Sequence, residues 1–403
     1  MSKTVLYKRQ IIRELYFAKT LSCSDLSLQT KKSLPLTTKM VNELIEEQYV
    51  METGYAPSTG GRRPLMYSLR PDVLYVVSVA MDQHFSRIVI MDMKQEMVTE
   101  CERFPLPLGK NPQALDTLLE KIEAHIGRSK IPRDRIAGVG VGMPGFVDAA
   151  KGINYSFLES NGRSIPQYLS EKLKVPVYIE NDSSLIALAE YRFGAAKDRK
   201  SAMVINLGWG IGLGLVMNGE LFRGHEGFAG EFSHIPLFSN NKLCSCGKSG
   251  CLETEASLLV VVEKAREGIK EGRLTTLKSE QLMADLDMAS MAVIKAAEKG
   301  DKFAVELLSE AGYHIGRGVA ILIHLLNPEA IVLSGRGSFA GKIWRVPLQQ
   351  ALHEHCIPRL SANTVIEVSE LGLDAELIGA AALVMDNYEK GHTKKTNNTV
   401  MAL

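Results

Sequence analysis

SAMVINLGWGIGLGLVMNGELF, residues 201–222, decides the fold class. Two apolar runs of strand length, SAMVINLGWG (201–210) and IGLGLVMNGELF (211–222), meet at a glycine-rich turn and read as a β-hairpin. The same plan stands earlier in the chain. There VLYVVSVAMD (73–82) runs into FSRIVIMDM (85–93), with EMVTECERFPL (96–106) as a third strand. A helix over about 112–127, the strand IAGVGVGMPG (136–145), the strand VPVYIE (175–180) and a helix opened by Asn181-Asp182-Ser183 follow the first hairpin. Helices between 254 and 326, the strand AIVLSG (330–335), a helix over about 341–354, the strand TVIEVS (364–369) and a helix over about 374–388 follow the second. Two hairpin-led lobes of similar plan predict an α/β body with a cleft between the lobes, a usual place for a small ligand.

Upstream of that body the texture differs. VLYKRQIIRELYFA (5–18) has helical spacing, and Ser24 and Asp25 are placed to cap a second helix over about 24–33. Pro35 reads as a break, after which Thr37 or a neighbour opens a third helix, TTKMVNELIEEQ (37–48). The strand YVMET, the loop GYAPSTGGRRP and the strand LMYSL complete residues 49–69. Three helices and a hairpin with a basic tip predict a winged helix-turn-helix. Residues 1–70 hold eleven Lys and Arg against six Asp and Glu, a charge of +5, so the chain's total of +1 leaves −4 for the rest. A basic head on a slightly acidic body fits a phosphate-facing module attached to a sensor. The second helix of such a motif enters the major groove near its start, which singles out Thr37, Thr38, Lys39 and Asn42 for bases and phosphates. Arg62 and Arg63 on the wing would reach a minor groove or flanking phosphates. Glu43, Glu46 and Glu47 would repel DNA, and are expected to face away from it.

The 403 residues suit two or three domains, and 45% hydrophobic with 23% charged residues is ordinary for a globular chain. No apolar stretch reaches membrane-spanning length and the start lacks the apolar run of a signal peptide, which predicts a cytoplasmic protein without membrane insertion. The boundaries expected are 1–70 for the head, 71–195 and 196–390 for the two lobes, with the last helix returning to the first lobe, and 391–403 for a frayed polar tail. Three of the six cysteines crowd into CSCGKSGC (244–251), downstream of His234. One imidazole and three thiolates, His234, Cys244, Cys246 and Cys251, suit a tetrahedral structural zinc site, and Gly247 and Gly250 let the loop bend around it. Such an ion would pin the segment that carries Glu231 and Glu253.

Taken together, GVGMPGFVD (140–148), VPVYIEND (175–182), INLGWGIGLGLVMNGELFRG (205–224), AGEFSH (229–234), CSCGKSGCLE (244–253), LLNPEAIVLSGRG (325–337) and LIGAAAL (377–383) resemble the ROK family of repressors, open reading frames and kinases. The head and the GGRRP segment (60–64) resemble its transcriptional branch, typified by N-acetylglucosamine and xylose repressors. The resemblance implies a two-lobed body of the actin/hexokinase kind that binds a sugar. It assigns Asp182 to the position that serves kinases as general base, and Asn181, Glu231, His234 and Glu253 to sugar hydroxyls. Pro144 and Gly145 match the loop lining the sugar, and Asn161 lies in FLESNGRSIP (157–166), where the usual tryptophan is missing. Carboxylates suit this role because each accepts two or more hydroxyl hydrogen bonds.

The same resemblance argues against phosphoryl transfer. Where the kinases open with Asp-x-Gly-Gly-Thr, this chain has Ala80 at the aspartate and Asp82-Gln83-His84 in place of Gly-Gly-Thr. Where they carry Gly-Thr-Gly-x-Gly, it has Gly208-Trp209-Gly210-Ile211-Gly212. Side chains stand where backbone amides would cradle phosphates, so neither ATP nor a catalytic residue is expected, and Asp182 is a vestigial base. Gly335 and Gly337 on the adenosine side remain, with Arg336 between them. The reading is a sugar-responsive repressor that binds double-stranded operator DNA as a homodimer or dimer of dimers and responds to a sugar or sugar phosphate. A sugar kinase with an appended DNA head, and a regulator titrated by a sugar-transport protein, are the competing readings.

Overall fold

The computed structural model describes residues 2–57, 63–158, 160, 162–283 and 285–389; the expected frayed tail at 391–403 lies outside them. The chain opens with α1 (Lys3–Ala18), β1 (Leu21–Ser22), α2 (Cys23–Thr30), α3 (Leu34–Glu46), β2 (Val50–Tyr55) and β3 (Leu65–Leu69). The strands form an antiparallel sheet of order β1-β3-β2. Ser22 caps α2, two residues earlier than the expected Ser24. Its hydroxyl accepts from Asp25 N at 3.2 Å while the Asp25 carboxylate accepts from Ser22 N at 3.0 Å, a reciprocal box. Pro35 does not break the chain as expected. It lies in the first turn of α3, where a missing N–H costs no helical bond, and the helix begins at Leu34. Ile11, Ile12 and Leu15 of α1 meet Leu26, Met40, Val41 and Leu44 in a small buried core.

There follow β4 (Tyr75–Met81), β5 (Phe85–Met91), β6 (Glu102–Pro105), α4 (Ala114–Ser129), β7 (Ile136–Met143), the short strands β8 (Val147–Asp148) and β9 (Ile153–Asn154), α5 (Ile165–Leu173) and β10 (Val177–Asn181). After them come α6 (Asp182–Phe193), β11 (Ser201–Leu207), β12 (Ile211–Met217), β13 (Glu220–Leu221), α7 (Glu253–Ala256), α8 (Leu258–Lys270), α9 (Ser279–Met283), α10 (Leu286–Glu298) and α11 (Lys302–Leu326). The chain closes with β14 (Ala330–Ser334), α12 (Arg345–His355), α13 (Pro358–Ser361), β15 (Val365–Val368) and α14 (Ala375–Tyr388). Two five-stranded sheets result, β10-β7-β4-β5-β6 and β13-β12-β11-β14-β15. Each has an antiparallel pair led by its first strand, with a parallel strand on that strand's other side. The two sheets therefore share one strand order.

The chain divides into two compact units: Met1–Gly145 with Lys151–Glu180 and Ala380–Leu403, and Phe146–Ala150 with Asn181–Gly379. The change of unit at Asn181 falls before the expected boundary at 195/196, because α6 packs on β11 and β12. Helix α14 is shared, with Ala380 onward in the first unit. The N-terminal head is not a separate unit either. Arg13 reaches Asp386 at 3.8 Å and Glu389 at 3.3 Å. Arg9 lies 5.1 Å from the Tyr388 ring centroid and donates to the Tyr388 carbonyl, and Gln95 Nε2 donates to the carbonyl of Tyr16. Charge, ring and amide contacts thus join α1 to α14 and to the turn after β5.

The core of the second unit runs from Ile205 and Leu333 in the sheet to Val262, Leu308, Ile315 and Trp344 in the helices. The Trp344 indole donates to the Gly337 carbonyl at 2.6 Å, which ties down the segment after β14. On the opposite face α6 approaches β12 closely, and a Cβ at Gly214 would collide with Ala187 and lie 2.5 Å from the Ser183 carbonyl oxygen. Gly214→Val is expected to cost roughly 1–3 kcal/mol through overpacking and to lower the melting temperature. Gly127→Ala, on a face of α4 where a new Cβ meets nothing within 4 Å, should leave the melting temperature unchanged or raise it.

Candidate functional site

The four residues His234, Cys244, Cys246 and Cys251 place their ligand atoms within 4.8 Å of one another. Hydrogen bonds from Cys244 N to Lys248 O and from Gly247 N to Cys244 O curl the loop, and Phe238 N to Gly250 O closes it. Gly247 and Gly250 both hold positive φ, and a Cβ at Gly250 would collide with the Phe238 carbonyl. The Sγ atoms of Cys246 and Cys251 stand 3.7 Å apart, and His234 Nδ1 is 3.5 Å from Cys244 Sγ. Two sulfurs each about 2.3 Å from one tetrahedral ion stand about 3.8 Å apart. All three cysteines are free thiols, so the spacing fits a shared metal ion.

Carboxylates gather beside this centre within the second unit. Asn181 caps α6, its side chain accepting from Ser183 N at 3.0 Å and Ser184 N at 3.1 Å. That occupies the amide oxygen predicted to meet a sugar. Asp182 opens the same helix and accepts from Ser183 N at 2.7 Å. Its pKa is pushed up to about 6, chiefly by burial and further by the charge of Glu231. Glu231 Oε2 lies 3.6 Å from His234 Nε2. Burial raises the Glu231 pKa as well, with Glu253 adding to the rise and His234 opposing it. Glu253 is anchored on two sides: Ile211 N donates to its Oε2 at 3.3 Å, and Cys244 Sγ lies 4.0 Å from its Oε1. A Cβ on Gly210 would strike that same carboxylate. His234 thus faces the thiols with one ring nitrogen and Glu231 with the other.

Pro144 and Gly145 belong to the first unit. The Pro144 carbonyl accepts from Asn154 Nδ2, and Gly145 has φ +84° with no room for a side chain beside Ser156. Asn161 and Arg62 lie outside the described residues. In the head, Lys39, Asn42 and Arg63 are exposed and Thr38 is partly so. Thr37 is a correction: it is fully buried, its hydroxyl 2.5 Å from Tyr7 Oη and bonded to the Ser33 carbonyl, so it faces the core rather than a partner. The acids of α3 are not simply turned away. Lys8 of α1 pairs with Glu43 at 2.8 Å and with Glu47 at 2.6 Å, which sequence spacing could not disclose.

Asp82 and Trp209 have defined contacts. Asp82 Oδ1 accepts from His84 N and Phe85 N, both at 2.8 Å, so its carboxylate holds the β4–β5 turn. The Arg336 guanidinium lies 4.8 Å from the Trp209 ring centroid and donates to Asp287 at 2.7 Å. No local pattern links Asp287 on α10 to Arg336, two residues after β14, so sequence spacing does not disclose the pair.

Residues 76–387 match the ROK family, and the chain belongs to it. Its fold is accordingly that family's pair of α/β lobes. A xylose repressor of Caldicellulosiruptor bescii is 27% identical, covering 94% of this chain and 95% of its own length. A glucokinase of Halalkalibacterium halodurans is 36% identical but covers 69% of this chain and 84% of its own. Among solved structures, a ROK family transcriptional regulator homologous to the E. coli MLC protein superposes with a TM-score of 0.77 at 24% identity, covering 95% of this chain and 97% of that one.

The raised Asp182 pKa gives a pH signature. From the ordinary 3.8 to about 6, the folded state holds a proton that the unfolded state releases, so this group's contribution to stability falls as pH rises through that window. Asp182→Asn should reduce the slope, leaving the part due to Glu231, and melt higher than the parent at pH 7; identical melting profiles from pH 4 to 7 would count against a perturbed Asp182.

Proposed function

We propose that this chain is a sugar-responsive transcriptional regulator, a repressor, of carbohydrate-utilisation genes. The observation that carries the reading is coverage: the xylose repressor aligns over 94% of the chain, whereas the glucokinase aligns over 69%. What sets the regulator apart is the N-terminal head, read as a winged helix-turn-helix. Lys39 and Asn42 on α3 would meet the major groove, with Thr38 at their side and Arg63 on the wing. Asp182, Glu231 and Glu253 would accept sugar hydroxyls, with His234 orienting Glu231 and Pro144 and Gly145 lining the ligand. The Cys3His centre would hold a structural zinc ion that fixes the segment between Glu231 and Glu253. Sugar binding and DNA binding are then linked equilibria. A coupling of roughly 1–3 kcal/mol changes operator occupancy about 5–150-fold. The protein would work in the cytoplasm as a homo-oligomer; among the described residues no helix is long and apolar enough to cross a membrane.

The identity to a glucokinase favours a second reading, ATP-dependent sugar phosphorylation. Opposing it are Asp82 and Trp209, which stand in the stretches matched to the kinase phosphate loops, Asp82 holding its turn and Trp209 carrying Arg336 on its ring. A phosphorylation assay on common hexoses decides between the two, and turnover at kinase rates would reverse the conclusion.

Two outcomes follow for the regulator. The full chain should shift DNA from upstream of its own coding sequence, with affinity falling steeply as salt rises and further on addition of one sugar. Lys39→Ala should weaken binding to all sequences and lower the salt slope by about one; a protein that leaves the DNA unshifted at low salt is not this regulator. Separately, the purified protein should carry one zinc per chain and Cys251→Ser almost none, with a lower melting temperature. Equal metal content in the two proteins would refute the Cys3His assignment.

A further inference from the structure

The first turn of α3 leaves aliphatic side chains in water. Leu34 is 45% and Leu36 42% exposed, Pro35 between them is exposed, and Leu28 on α2 is 80% exposed. Ile11, Leu26 and Val41 of the same head are completely buried, whereas Val5 and Leu6 on α1 and Met51 and Tyr55 on β2 are exposed as well, so Leu34, Leu36 and Leu28 are set apart by their place at the start of α3 and the end of α2. The surroundings are basic. Lys31 and Lys32 are exposed just before the helix, and the Lys39 side chain is 71% exposed one turn into it. The nearby carboxylates of Glu43 and Glu47 are tied to Lys8. A polyanion is therefore the partner whose charge suits this face, and phosphates alone give leucine nothing to bind.

Double-stranded DNA offers such a group. Among the bases only thymine presents a methyl in the major groove, and aliphatic side chains reach it by direct apolar contact. We propose that Leu34 and Leu36 read thymine methyl groups, so that the recognised half-site carries thymines opposite the start of α3. Lys39 and Asn42 then supply the polar contacts further along the same helix. This inference rests on the DNA-binding reading above and adds the base class that the head selects.

The test uses the full-length protein and a duplex selected by it from a random pool. The selected duplex is remade with deoxyuridine in place of thymine, which removes only the methyl groups. Wild-type protein should bind the uracil duplex more weakly, by about three- to fourfold for each methyl contacted. The Leu34→Ala/Leu36→Ala variant should bind both duplexes equally while keeping the wild-type salt slope, since both positions are exposed and alanine favours a helix. The wild-type comparison needs no variant, so it stands even where the double substitution disturbs folding. Equal wild-type affinity for the two duplexes overturns the inference, and so does discrimination that survives in a folded variant. If the variant instead loses self-association in the absence of DNA, the leucines belong to an interface between copies and the inference is again overturned. Failure to select any duplex overturns the DNA reading itself, a result distinct from equal binding.

Discussion

Helix α6 lies directly against strand β12, and glycines at 212 and 214 are what allow it. A Cβ at either position would collide with Ser183, and one at Gly214 with Ala187 as well. The approach also brings Asn206 Nδ2 to Ser183 Oγ at 3.2 Å. Because Asn181 caps α6, the helix start is held along with its axis, and Asp182 inherits a fixed place. Its raised pKa is a consequence of that placement: the carboxylate is taken out of water and set near Glu231. The position of a carboxylate that would accept a hydroxyl is thus decided by two missing side chains on the neighbouring strand.

The Cys3His cluster bears on the other half of the site in a comparable way. The segment from Gly230 to Glu253 contains little regular structure, so its carboxylates need another source of rigidity. Convergence of His234, Cys244, Cys246 and Cys251 supplies it, with Glu231 bound to the centre through His234 and Glu253 lying beside Cys244. Gly210 serves Glu253 as Gly212 serves Ser183, by leaving room. Both glycines therefore serve internal packing. Trp209, next to Gly210, carries Arg336 on its face.

The head shows how ionic detail changes the reading of a surface. α3 and its C-cap carry Glu43, Glu46 and Glu47 against a single lysine, Lys39, which looks ill-suited to a polyanion. Lys8 pairs with two of those acids, Glu43 and Glu47, and Glu43 also lies 4.0 Å from Lys39, while Glu46 stays exposed toward the end of the helix. Attachment of α1 to α14 through Arg9 and Arg13 makes the head part of the first compact unit, not a bead on a linker.

Local patterns alone determined much of this protein. Apolar runs of strand length predicted both hairpins, helical spacing predicted the helices, and three cysteines within eight residues marked the cluster whose ligand atoms converge in the structure. These signals survive in the sequence because each depends on neighbours a few residues apart. Tertiary structure decided the rest. Thr37 has a polar side chain at the start of a helix, and only the packing of α1 shows that it points inward to Tyr7. Asn181 and Asp182 are chemically alike in sequence; the fold commits the first to a cap and leaves the second to be desolvated beside Glu231. Asp287 and Arg336, like Lys8 and Glu47, meet across long stretches of chain. Such pairs depend on where elements are laid against one another, and sequence spacing has no term for that.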